Sequence, residues 1–134
     1  MSITKSDVLA LRAEPDVVLA RQQVRRLTQE IGFGIVDQTK MVTAASELAR
    51  NTLIYGRGGE MRWEILAEPP RKGLRLHFVD NGPGIPDLAR AMTDGWTSGS
   101  GMGLGLSGAK RLVNEFNIDS TVGAGTRVTI TRWK

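Results

Sequence analysis

Apolar positions along this chain follow two rhythms, one helical and one strand-like, and glycines mark most of the changes between them. Residues 3 to 12 predict a strand. Pro15 suits the first turn of a helix, which Val17, Val18, Ala20, Val24, Leu27 and Ile31 continue at helical spacing until Gly32 and Gly34 end it. A second helix is expected from Asp37, a good N-cap, to about Tyr55, where Gly56, Gly58 and Gly59 stop it. Its buried stripe reads as Val42, Ala45, Ala49 and Leu53, which leaves Lys40, Ala44, Glu47 and Asn51 on the other side.

Two strands follow, near Met61 to Ala67 and Leu74 to Val79, parted by the turn formers Pro69, Pro70 and Gly73. In the second, Leu74, Leu76 and Phe78 alternate with Arg75 and His77, so one face is buried. A glycine-rich stretch from Asn81 to Gly105 comes next, interrupted by a short helical piece around Asp87 to Met92. Leu106 to Phe116 predicts a third long helix. Ile118 to Val122 and Arg127 to Trp133 predict a closing hairpin turned at Gly123 and Gly125. The expected architecture is a single domain over residues 1–134: an α/β two-layer sandwich, with helices on one face of a mixed, mostly antiparallel sheet.

Composition narrows the chemistry. The 134 residues include no cysteine, which excludes disulfides, thiolate catalysis and cysteine-ligated metal. No run of about 18 apolar residues suggests a membrane span, and Lys5, Asp7, Arg12 and Glu14 interrupt any signal-peptide core. A cytoplasmic location is therefore expected, away from membranes. The net charge is +4, but the basic residues are scattered and aromatics are only 5%, so a base-stacking surface is poorly supplied. Nucleic acid is not the expected partner. Nucleotide phosphates or an acidic protein would meet the same charge.

Three constellations carry the chemistry. Glu47 and Asn51 lie four residues apart on one helix face, where a carboxylate and an amide oxygen can join a proton acceptor to a hard Mg²⁺ ligand. An isolated pair of this kind is ordinarily just a solvated face. The second is Asp80-Asn81-Gly82-Pro83-Gly84-Ile85-Pro86 at the end of a buried strand. There a carboxylate could accept from the exocyclic amino group of adenine, while glycines let backbone approach a flat ligand. A plain turn has the same composition. The third is Gly99-Ser100-Gly101-Met102-Gly103-Leu104-Gly105-Leu106-Ser107-Gly108, which can feed backbone N–H groups to phosphates at a helix start. Gly103, Gly105 and Gly108 also satisfy G-x-G-x-x-G, but no strand precedes them, so a dinucleotide fold is rejected. The Walker pattern and the eukaryotic-type kinase signatures are absent.

Taken in order, Glu47 to Asn51, Asp80 to Gly84 and Gly101 to Gly105 resemble the N, G1 and G2 boxes of the GHKL ATPase superfamily, and Gly125-Thr126 resembles its late Gly-Thr pair. The resemblance implies ATP and Mg²⁺ as cofactors, with Glu47 as general base and Asn51 as the Mg²⁺ ligand. It implies Asp80 as the adenine acceptor, with Gly82, Gly84, Ile85 and Thr126 around the nucleotide. The loop from Gly99 through Ser100, Gly101, Met102, Gly103 and Leu104 to Gly105 would be the ATP lid.

Gyrase-, Hsp90- and MutL-type members carry large transducer domains, and sensor histidine kinases need a helical hairpin bearing the phosphorylated histidine. The one histidine here, His77, falls mid-strand. Ser46-Glu47-Leu48-Ala49-Arg50-Asn51, Gly32-Phe33-Gly34 and the segment from Asp80 to Asp87 are most similar to the anti-sigma-factor-like serine/threonine kinases of stressosome switches. That resemblance implies phosphorylation of a STAS-domain antagonist, release from it, and activation of a PP2C-type phosphatase. Two alternatives remain. One is an anti-sigma factor binding an RNA polymerase sigma subunit, with Arg21, Arg25 and Arg26 as candidate contacts that could equally be a solvated face. The other is a non-catalytic ATP-gated switch.

Overall fold

In the computed structural model, which describes residues 1–92 and 105–134, the alternation of Leu74, Leu76 and Phe78 is realised in the central strand of a five-stranded sheet. The elements run β1 (Ser2–Leu11), α1 (Glu14–Ile31), α2 (Ile35–Ile54), β2 (Gly59–Glu68), β3 (Arg71–Asp80), α3 (Leu88–Ala91), α4 (Gly105–Arg111), β4 (Glu115–Thr121) and β5 (Gly125–Trp133). Strand order is β1-β2-β3-β5-β4. All four ladders are antiparallel.

Register places apolar residues side by side on one face. Trp63 opposes Leu76 and Met61 opposes Phe78, while Leu76 and Phe78 meet Ile130 and Val128 across the other ladder. All six are buried. The helices cover this face. α1 contributes Val17, Ala20, Val24, Leu27 and Ile31 to the core, whereas Val18, from the same periodic run, is exposed. The expected two-layer α/β sandwich is thus the observed one. No helix among the described residues is long and apolar enough to cross a membrane.

Three local expectations are corrected. α2 starts earlier than Asp37: Gly34 is the N-cap, and Asp37 lies in the first turn, where its carboxylate suits the helix dipole and accepts from Arg132 Nη2 at 2.5 Å. Ala44, expected on the outward side with Glu47, is fully buried because α2 packs against the sheet, α1 and α4 at once. The third helix is short. It ends at Arg111, and the segment expected to continue it joins the sheet instead. Asn114 N–H donates to the Thr131 carbonyl at 3.0 Å, Asn114 Oδ1 accepts from Trp133 N–H at 2.7 Å, and Phe116 pairs with Ile130. Ladder formation against β5 overrides the helical spacing of those residues.

Candidate nucleotide site

The site is assembled where α2, β3 and β5 end near one another. β3 stops at Asp80, which pairs with Gly59 of β2 and Thr126 of β5. Its Oδ1 accepts from Gly82 N–H at 2.9 Å and Thr126 N–H at 3.3 Å. Oδ2 receives no hydrogen bond from the described residues.

α2 finishes beside it. The Asn51 carbonyl accepts from Tyr55 and Gly56 N–H, Gly58 N–H returns to the Thr52 carbonyl, and Arg57 and Gly58 adopt positive φ of 62° and 96°. This sharp exit sets Gly56 against Asp80. A Cβ on Gly56 would lie 2.4 Å from the Asp80 carboxyl carbon, so only glycine leaves room for that carboxylate. Gly82 abuts Gly56 in turn, with a Cβ there 2.8 Å from the Gly56 carbonyl. Gly84, at φ 78°, lies against the Thr121 backbone. The close approach these glycines allow is therefore between segments of the protein itself.

Between these elements is a cavity of about 270 Å³, near the lower end of the ~300–1,000 Å³ typical of small-molecule sites. Its walls are mainly apolar, from Leu48, Phe78, Ile85, Leu106 and Val128, with Asn51, Asp80 and Thr126 as convergent polar groups. Ser120 of β4 ties two of these walls together. Its Oγ accepts from Ile85 N–H at 2.7 Å and lies 2.8 Å from Thr126 Oγ1. The Asn51 side-chain amide has no hydrogen-bond partner among the described residues. It is a free hard oxygen at the cavity wall. Among the described residues no group of three or more His, Asp or Glu could hold a metal ion by itself; the amide oxygen of Asn51 is of the hard kind that Mg²⁺ takes.

Of the residues expected from sequence, Asn51, Asp80, Gly84, Ile85, Gly105 and Thr126 share this cavity. Gly82 stands behind it against Gly56. Glu47 is not on its walls. It lies one turn before Asn51, its side chain 17% exposed, with Arg50 Nη1 3.8 Å from its carboxylate. Gly99, Ser100, Gly101, Met102, Gly103 and Leu104, the expected lid, lie outside the described residues. Sequence reasoning missed Gly56, taken only as a helix stop, and Ser120. The hairpin register could have found the latter, since Ser120 opposes Thr126 directly.

Residues 36–134 match the family described as histidine kinase-, DNA gyrase B-, and HSP90-like ATPases. The sequence is 44% identical to the serine/threonine-protein kinase RsbT of Bacillus subtilis over 123 residues, covering 92% of each chain. It is 28% identical to the anti-sigma F factor of Clostridium novyi over 133 residues, covering 96% of this chain and 93% of that one. Among solved structures, one containing the RsbU and RsbW domains of a Mycobacterium tuberculosis protein superposes with a TM-score of 0.64 at 21% identity. That match covers 96% of this chain, which spans 32% of that structure. The mycobacterial sensor histidine kinase MprB gives a TM-score of 0.54 at 21% identity, covering 96% and 97%. These structural likenesses concern the fold.

Proposed function

The chain belongs to the histidine kinase-, DNA gyrase B-, and HSP90-like ATPase family, and on that premise we propose that it is a serine/threonine-protein kinase transferring the γ-phosphoryl group of Mg-ATP to a STAS-domain protein. The observation that carries this reading is the cavity in which Asp80, pinned through one oxygen, stands with Asn51, whose side-chain amide has no hydrogen-bond partner among the described residues.

Adenine enters the apolar cavity and its exocyclic amino group donates to Asp80 Oδ2. Because Oδ1 is already held by Gly82 and Thr126 N–H, the carboxylate is oriented before the ligand arrives. Guanine presents a carbonyl at that position and is repelled. The Asn51 amide oxygen would hold Mg²⁺, which would supply neutralisation of phosphate charge, and phosphoryl transfer needs that more than covalent chemistry. Glu47 takes the proton of an incoming serine or threonine hydroxyl as its oxygen bonds to the γ-phosphorus and the bond to ADP breaks. Glu47, with the Arg50 guanidinium 3.8 Å from its carboxylate, lies one helical turn before Asn51 and off the adenine cavity. Release from the phosphorylated antagonist then frees the kinase to activate a PP2C-type phosphatase, a step supported by family resemblance alone.

Incubation with γ-labelled ATP and the STAS-domain proteins of the same genome tests the reading. Label should appear on a serine or threonine of one of them, only with Mg²⁺. No labelled STAS protein would overturn it. The identity to an anti-sigma F factor favours a second reading, direct capture of a sigma subunit. A pull-down retaining a sigma factor while no phosphate is transferred would select that reading.

A further inference from the structure

Away from the nucleotide cavity, α1 and α2 bound a groove of about 480 Å³. Arg21, Arg25 and Gln29 form one wall, and Ile35, Thr39 and Thr43 the other. Both arginines are exposed, and neither makes an ion pair or side-chain hydrogen bond among the described residues. Four of the five carboxylates on these helices are engaged elsewhere, the exception being Glu14 at the start of α1, and none lines the groove. Glu30 pairs with Lys5, Asp37 with Arg132, Glu47 with Arg50, and Asp16 caps the start of α1. The groove is therefore basic, with no carboxylate on its walls among the described residues, and Ile35, 74% exposed, adds an apolar edge at its mouth.

The chemistry that complements it is an acidic segment with an apolar side. Among the described residues no aromatic lines the groove, so a nucleic-acid strand would find charge but no stacking surface there. A protein segment is the better fit. Direction matters as well. Ile35, Thr39, Thr43, Glu47 and Asn51 follow one another at four-residue spacing, forming a single ridge along α2. Glu47 is one turn, about 6 Å, beyond the last groove residue on that ridge. A segment lying in the groove thus points its end at the proposed base.

We propose that the α1–α2 groove docks an acidic, apolar-edged segment of the phosphate-accepting protein and so delivers its hydroxyl to Glu47. The delivery step rests on the kinase reading; the docking step does not. The acceptor class follows from this: a protein with carboxylates displaced along the chain from the modified serine or threonine, set to meet Arg21 and Arg25.

Two measurements test it. In the first, the parent protein is titrated with a fluorescein-labelled helical peptide of about 18 residues, carrying glutamates at four-residue spacing beside a leucine stripe, and with the same peptide bearing lysines instead. The acidic peptide should bind, and the lysine peptide should not. Arg21→Glu with Arg25→Glu should weaken the acidic peptide by at least about tenfold, with ATP affinity unchanged. Thr39→Glu, an exposed change on the facing wall, should act in the same direction and guards against a folding defect in the double variant. Equal binding of both peptides, or an unchanged dissociation constant in these variants, overturns the groove. In the second, the STAS-domain protein that takes the label is the acceptor. Its KM should rise in the double variant while kcat and the KM for ATP hold; an unchanged acceptor KM overturns delivery through the groove. Peptide binding lost in the variants, from a parent that phosphorylates no STAS protein, would leave the groove supported and the kinase reading refuted.

Discussion

β3 carries two polar clusters a few residues apart, and they are finished in opposite ways. On the open face of the sheet, Glu64 Oε1 accepts from Arg75 Nε at 2.6 Å and from His77 Nε2 at 2.8 Å. His77 Nδ1 faces Thr129 Oγ1 at 3.0 Å and Arg127 Nη2 at 3.2 Å. With a cationic donor at Nδ1 and a carboxylate at Nε2, the network assigns the ring proton to Nε2. Each of these groups is answered by a neighbour. At the strand's end, Asp80 has one oxygen held, while its other oxygen and the amide of Asn51 have no hydrogen-bond partner among the described residues. The first cluster is complete without a ligand. The second, among the described residues, leaves hydrogen-bonding capacity for one. Unspent hydrogen-bonding capacity in a concave, apolar place separates a binding site from a structural network, although both are built from ordinary polar residues.

That contrast is tested most severely at Glu47. Glu47→Ala should lower phosphoryl transfer by roughly 10²–10⁴-fold, the usual contribution of a general base. Its pair with Arg50 is long and partly exposed, so folding should be little affected. Calorimetry should show ATP affinity retained. Asn51→Ala should lose Mg²⁺-dependent nucleotide binding and transfer together. Parent-rate transfer by Glu47→Ala would remove the carboxylate from the chemistry.

Next in size is Asp80→Asn. The amide offers a donor where adenine also donates, and an unmatched buried donor costs about 1–3 kcal/mol, or about ten- to a hundredfold in affinity. GTP should bind the parent more weakly than ATP for the same reason. Equal ATP affinity in parent and variant would mean that the free oxygen of Asp80 is not reading the base.

Much of this was legible in the sequence, for identifiable reasons. The two-layer architecture followed from period-two alternation in β3 and helical spacing in α1, signals that depend only on which face is buried. Asn51, Asp80 and Thr126 could be named because their spacing matches a known constellation, and the cavity brings these three together. What was hidden depended on distant pairing. The helical spacing after Leu106 gave no hint that Asn114 would bond to Thr131 and Trp133 across the sheet. Gly56 read as a helix stop, since its contact with the Asp80 carboxylate exists only after α2 and β3 are brought together. Arg21 and Arg25 could be named as candidate contacts, but the groove they line was hidden for the same reason, as one wall comes from each helix.

A smaller effect, on stability alone, is expected from the completed cluster. Burial works against the charge of Glu64, but hydrogen bonds from Arg75 and His77 and the charge of Arg75 outweigh it and hold its pKa below the ordinary 4.5. A depressed folded-state value stabilises the fold above the unfolded pKa, and that stability is lost as pH falls through the folded one. Urea unfolding should therefore show Glu64→Gln less stable than the parent by about 1–2 kcal/mol at pH 7, with the gap narrowing below pH 4.5. ATP affinity should not move. If it does, the two clusters on β3 are coupled and the contrast between them fails.

The smallest effect, at Ser120, asks how far the unfinished region extends. Its hydroxyl is satisfied within the protein, as His77 is, yet both of its main partners, Ile85 N–H and Thr126 Oγ1, belong to residues of the cavity wall. Ser120→Ala leaves the Ile85 N–H without its acceptor and the Thr126 hydroxyl free to turn. Loss of one such bond is worth about 1 kcal/mol, or about fivefold in a binding constant. ATP affinity should fall by about that factor, kcat at saturating ATP should stay at the parent value, and Ser120→Thr should restore affinity because it keeps the hydroxyl. A loss of unfolding stability with no change in ATP affinity would place Ser120 with Glu64 and His77, as part of the scaffold. A matched loss in both would show that the hydroxyl on β4 sets the nucleotide site through Thr126, without touching the ligand itself.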